Sequence, residues 1–108
     1  MLMVPSLMTA GEHYVIQDSP DGPCLVKWLG KESIVDFNLS PELRSVKVIG
    51  EMAFEMNKHI RKVILPEGLT AIRKRAFNTC ENLTTVEMPP SVRESNYSGA
   101  PVLTINRG

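Results

Sequence analysis

Two histidines, His13 and His59, and two cysteines, Cys24 and Cys80, are the only imidazoles and thiols in the 108 residues. Neutral-pH acid–base work, nucleophilic attack and soft-metal ligation must all draw on them. The cysteines lie far apart with no CxxC spacing, which excludes zinc ribbons and thioredoxin-like redox motifs. Both are expected to be reduced, buried thiols. No HExxH, GxSxG or phosphate-binding glycine loop is present. A carboxylate pair such as Asp36 and Glu87 would have to converge from distant segments, and nothing in the sequence demands it. His59 precedes an apolar strand pattern and reads as a surface residue. The chemistry available therefore predicts no enzyme, no metal and no cofactor, and leaves recognition.

Charge offers two weak handles for recognition. Twelve basic and twelve acidic side chains cancel, so bulk charge does not select a nucleic acid or an anionic membrane as partner. Residues 1–57 nevertheless carry four basic and eight acidic side chains, and residues 58–108 the reverse. Such a dipole favours oriented encounter or head-to-tail self-contact. Locally, Arg73, Lys74 and Arg75, with Lys58, Arg61 and Lys62, oppose Glu67 alone over residues 58–75. That cluster suits an acidic protein surface. Specific RNA binding would also need free aromatic platforms, which the pattern below assigns to the core.

The elements that must position these residues repeat. Ile49 matches Ile72 at an offset of 23, and in the same register Ala53 matches Ala76, Phe54 Phe77, Ile60 Leu83, Val63 Val86, Leu65 Met88, Pro66 Pro89 and Leu69 Val92. A period of this length means a solenoid whose coils cannot bury their apolar sides alone. In IRKVILP and LTTVEMP, Val63/Leu65 and Val86/Met88 alternate with outward neighbours as half-buried strands, each ended by a proline that cannot donate to a ladder. The EMAF and KRAF segments predict tight helical turns, with alanine permitting close approach and phenylalanine filling the coil. Asn57 and Cys80 follow the two phenylalanines at equivalent places, where a small hydrogen-bonding side chain serves the turn backbone.

The stretch VIGEMAFEMNKHIRKVILPEGLTAIRKRAFNTCENLTTVEMPPSV resembles the BspA-like leucine-rich repeat, with its alanine–phenylalanine pair, cysteine, leucine and proline-ended strand. The similarity extends over about residues 13–93. It implies a mostly β chain with short helical turns: a small leucine-rich-repeat solenoid with an N-terminal β-hairpin cap and a shortened C-terminal coil. The departures are Ser40-Pro41 shifted by one position, Arg73 where Gly50 stands one coil earlier, and Asn57 in place of the cysteine.

One domain follows, divided into an N-terminal segment and hairpin over 1–30, stacked repeats over 31–93 and an end cap over 94–108. Residues 14–17 and 24–29 form the hairpin around DSPDGP, with Trp28 packed there or exposed as a binding anchor. Leu2, Val4, Leu7 and Met8 lie across that end or meet a partner. In the cap, Leu103 and Ile105 form a last strand and Gly99 marks a loop.

Repeat solenoids recognise partners with the outward side chains of their strands. These are Ile34 and Asp36, then Lys62 and Ile64, then Thr85 and Glu87. Ile64, between charged positions, is a contact centre, unless it pairs with Ile34 across the strands. The expected function is a non-catalytic protein–protein interaction module using these six residues and Arg73, Lys74 and Arg75. The resemblance implies microbial surface proteins that meet host or matrix proteins. The alternative is a free-standing intracellular or phage-encoded inhibitor or adaptor covering its target's functional surface. The expected partner is another protein, with nucleic acid a minor alternative and no membrane; a homo-oligomer through an uncovered solenoid end is also expected. The opening MLMVPSLM lacks a basic segment and predicts no secretory signal, hence a cytoplasmic protein, or a secreted one if a leader was removed. No apolar run approaches the roughly 20 residues of a membrane helix.

Overall fold

The computed structural model describes residues 8–10 and 13–107. Nine strands appear among them: β1 (Met8–Ala10), β2 (Tyr14–Ser19), β3 (Gly22–Trp28), β4 (Ile34–Asp36), β5 (Val48–Ile49), β6 (Lys62–Ile64), β7 (Ala71–Ile72), β8 (Thr85–Met88) and β9 (Thr104–Arg107). They form one sheet ordered β1-β2-β3-β5-β7 and another ordered β4-β6-β8-β9. Each coil supplies one strand to each sheet. β3 and β4 make the first, β5 and β6 the second, β7 and β8 the third, and a bridge from Glu94 to Ala71 with β9 the fourth.

The repeat sets the register. Ile49 pairs with Ile72, and Val35, Val63, Val86 and Ile105 line up across four parallel strands. Val35, Val63 and Val86 are buried, and Ile105 packs on the core from the last coil. A column of stacked aromatic rings runs through the coils between the sheets, with Phe37 a second buried ring beside Trp28 in the first coil. Trp28 stacks on Phe54 at 5.8 Å, Phe54 on Phe77 at 5.3 Å and Phe77 on Tyr97 at 6.2 Å, while Tyr14 covers Trp28 at 5.6 Å. Aromatic stacking adds to the area that each ring removes from water. Trp28 is thus a core residue and not an exposed anchor.

The corners correct the expectation of helical turns at EMAF and KRAF. Met52 and Met56, and their equivalents Arg75 and Thr79, have φ between 55° and 62°. Left-handed residues four positions apart bracket each corner, and at the first every second amide from Met52 to Met56 turns toward the next coil. Phe54 N donates to Ala76 O and Met56 N to Asn78 O, both at 2.8 Å. An ordinary helical turn would keep those bonds inside one coil. The helical segments lie instead in the long return after β4, as a 3-10 turn over Phe37–Leu39 and α1 (Pro41–Arg44). Thr79, exposed and β-branched, is the costliest of the left-handed residues. Thr79→Gly is expected to stabilise the protein by about 0.5–1 kcal/mol, read as a melting temperature a few degrees higher.

The two ends are built differently. At the front the β2–β3 hairpin extends the first sheet, and β1 adds a further strand. At the back Tyr97, Ala100, Leu103 and Ile105 pack on the core, and Gly99 occupies a loop at φ +76°. The expectation for Leu2, Val4 and Leu7 falls outside the described residues.

Candidate protein-binding surface

The outward side of the four-stranded sheet carries two straight rows of side chains. Ile34, Lys62, Thr85 and Thr104 align in one, and Asp36, Ile64, Glu87 and Asn106 in the other. At about 4.8 Å per strand each row spans some 14 Å. The six residues that alternation assigned to this face are therefore brought together. Thr104 and Asn106 complete the rows; alternation about Ile105 was the signal that marked them.

Ile64 lies between Asp36 and Glu87 in the ladder, while Ile34 lies opposite Lys62. The alternative in which Ile64 simply pairs with Ile34 is thus replaced by an apolar side chain flanked by carboxylates. Both carboxylates are held. Asp36 Oδ1 accepts from Asn38 N at 2.8 Å, and Glu87 Oε2 accepts from Asn106 Nδ2 at 3.0 Å with Lys62 Nζ 3.6 Å away. Asp36 and Glu87 sit two ladder steps apart, about 9–10 Å, with Ile64 between them. They do not form a working carboxylate pair.

The basic cluster is divided. Arg73 bonds Asp21 and Glu94, from the hairpin turn and the last coil. Lys62 faces Glu87 on the other sheet. The count of six cations against Glu67 alone fails because folding brings in acids that are distant in sequence. Lys74 and Arg75 are exposed on the corner between the sheets.

His59 is exposed, and exposed His13 stands 3.6 Å from Glu32. Among the described residues, no group of three or more His, Cys, Asp or Glu side chains could hold a metal ion. Both cysteines are free, Cys80 fully buried but Cys24 only half-buried, short of the burial expected for both. Cys80 Sγ donates to Phe54 O at 2.9 Å, and Asn57 Nδ2 donates to Gly30 O at 3.2 Å. The two equivalent side chains tie each coil to the one before it.

Burial raises the Cys80 thiol from 9.0 to about 11. A thiol whose folded-state pKa lies above its unfolded value contributes stability that is complete below pH 9 and is lost as pH rises through about 11. Denaturant melts below pH 9 and near pH 11 are expected to show the wild type losing more stability than Cys80→Ser, whose hydroxyl does not titrate there. Equal losses would contradict this role for the thiol.

Comparison with known proteins agrees with this geometry. A family model described as the BspA type leucine rich repeat region (6 copies) matches residues 30–98. A leucine-rich repeat protein from Bacteroides capillosus ATCC 29799 superposes with a TM-score of 0.64 and 18% identity, covering 95% of this chain and 99% of that one. A leucine rich cell surface protein from Faecalibacterium prausnitzii A2-165 superposes with a TM-score of 0.74 and 19% identity over 94% of this chain, which spans 30% of that protein. At these identities the two structures show the shared fold. No curated protein matches the chain. Among the described residues no helix is long and apolar enough to cross a membrane.

Proposed function

The chain belongs to the BspA-type leucine-rich repeat family, and from that membership we propose that it is a non-catalytic module that binds another protein through the outward face of its four-stranded sheet. The observation that carries this reading is the frame around Ile64. Asp36 and Glu87 flank it in the ladder, and Lys62, Asn38 and Asn106 hold the carboxylates in place. A partly exposed apolar centre with a fixed polar rim is the arrangement of a protein contact surface. The parallel ladder makes it rigid, so binding orders little.

The cell-surface description of the Faecalibacterium protein supports presentation of such a face outside the cell. Lys74 and Arg75 form a second, smaller contact for an acidic partner surface. The test is affinity capture with the wild type, Ile64→Asp, and Lys74→Glu combined with Arg75→Glu. Ile64→Asp is expected to weaken the captured interaction by about tenfold or more, and the double corner variant less. Retention of full affinity by both variants would refute the surface assignment.

A further inference from the structure

We propose that the free edge of β4 is a strand-addition site for an extended peptide segment of another protein, one that alternates basic and apolar side chains. This site adjoins the outward face, sharing Ile34 and Asp36 with it, but its recognition runs through the backbone edge of β4 and through Leu39. Lys62 N donates to Ser33 O at 3.1 Å. In a parallel strand successive residues offer both backbone groups to alternate sides, so Val35 serves β6 while Ile34 turns both of its groups, and Asp36 its N–H, to the open side; the Asp36 carbonyl caps the following 3-10 turn. Among the described residues, β4 ends its sheet there. An unpaired strand edge is a ready template for another strand.

The surroundings select the occupant. The first sheet runs two strands, β2 and β1, beyond β3, whereas the second stops at β4 in the same coil. The hairpin therefore overhangs a step. A second solenoid placed to continue β4 would meet β1 and β2, which extend the neighbouring sheet by two strands, whereas a single added strand would not. The step holds a groove of about 210 Å³ whose apolar walls include Tyr14, Trp28, Ile34 and Leu39. Ile34 is 56% and Leu39 82% exposed, large apolar surfaces for a chain end. The rim carries Glu32 and Asp36, with His13 3.6 Å from Glu32, and Tyr14 of the groove wall donates its hydroxyl to Glu42 Oε1 at 2.6 Å. An apolar trough with acidic edges fits valine- or isoleucine-like side chains alternating with arginine or lysine.

The probe is a short fluorescent peptide of alternating arginine and valine, blocked at both ends. It is compared with versions N-methylated on only the valines or only the arginines, and with one carrying glutamate for arginine. Binding is expected, and one N-methylated set should weaken it by about tenfold while the other leaves it intact, because a strand uses one edge. The glutamate peptide, Ile34→Pro and Leu39→Asp should each lose about as much, whereas Glu81→Gln, an exposed acid outside the groove, should not alter it. Leu39→Asp alters only exposed surface, so it decides the matter if Ile34→Pro does not fold. No binding, or binding indifferent to both N-methylated sets, would overturn the proposal. So would sedimentation showing self-association of the wild type that Leu39→Asp abolishes, which would give the edge to a second copy.

Discussion

Phe54→Ala is expected to cost about 3–5 kcal/mol. Phe54 is fully buried and its ring lies between those of Trp28 and Phe77. Truncation removes its own transfer energy and also one wall from the space around both neighbours. Relaxation is restricted, because the backbone of residue 54 is tied to Ala76 O in the next coil. Against the 5–15 kcal/mol typical of a whole domain, such a loss leaves little stability in reserve. It corresponds to a melting temperature lower by about 15–30 °C. Met56→Ala, two positions along and 63% exposed, should stay within about 0.5 kcal/mol of the wild type. Equal effects from the two variants would mean that the coil interior is not where the stability resides.

Asn57→Ala should follow at about 2–4 kcal/mol. The Asn57 side chain accepts from His59 N at 2.9 Å and from Ile60 N at 3.1 Å, and donates to Gly30 O at 3.2 Å. Alanine leaves all three groups without that partner. Ile60 is fully buried, so water cannot readily replace the bond to its amide. Cysteine in this place can restore the donation to the preceding coil, as Cys80 makes it to Phe54 O, but not acceptance from two amides. Asn57→Cys should therefore fall between the wild type and Asn57→Ala. Urea melts of the three proteins check the order; Asn57→Cys at or below Asn57→Ala would contradict the inter-coil role of this position.

The repeat made the solenoid legible because the residues that matter to it are local and periodic. Phe54, Phe77, Val63 and Val86 recur in one register, and a parallel stack turns that register directly into neighbours. The outward rows were legible for the same reason, since side chains alternate along a strand. The corners were not. Met52, Met56, Arg75 and Thr79 carry none of the glycine or asparagine signal that usually marks left-handed backbone, and only the inter-coil bonds they permit explain the conformation.

Contacts across long sequence separations were equally hidden. Nothing near Arg73 announces Asp21, whose place beside it depends on how the hairpin joins the first sheet. The replacement of Gly50 by Arg73 one coil later is explained by this clasp, which links the front hairpin turn to the last coil through one guanidinium. Among the described residues, the position of β4 at the end of its sheet also depends on a difference between the two sheets, one extended by two strands at the front and the other not. No local pattern encodes that difference.

The stacking of successive coils is tested most directly by ring-to-ring nuclear Overhauser contacts in protein labelled at its phenylalanines. The account predicts cross-peaks between Phe54 and Phe77, lost on Phe77→Leu while the Phe54 signals remain dispersed. Absence of contact between these two rings in the folded wild-type protein would contradict it.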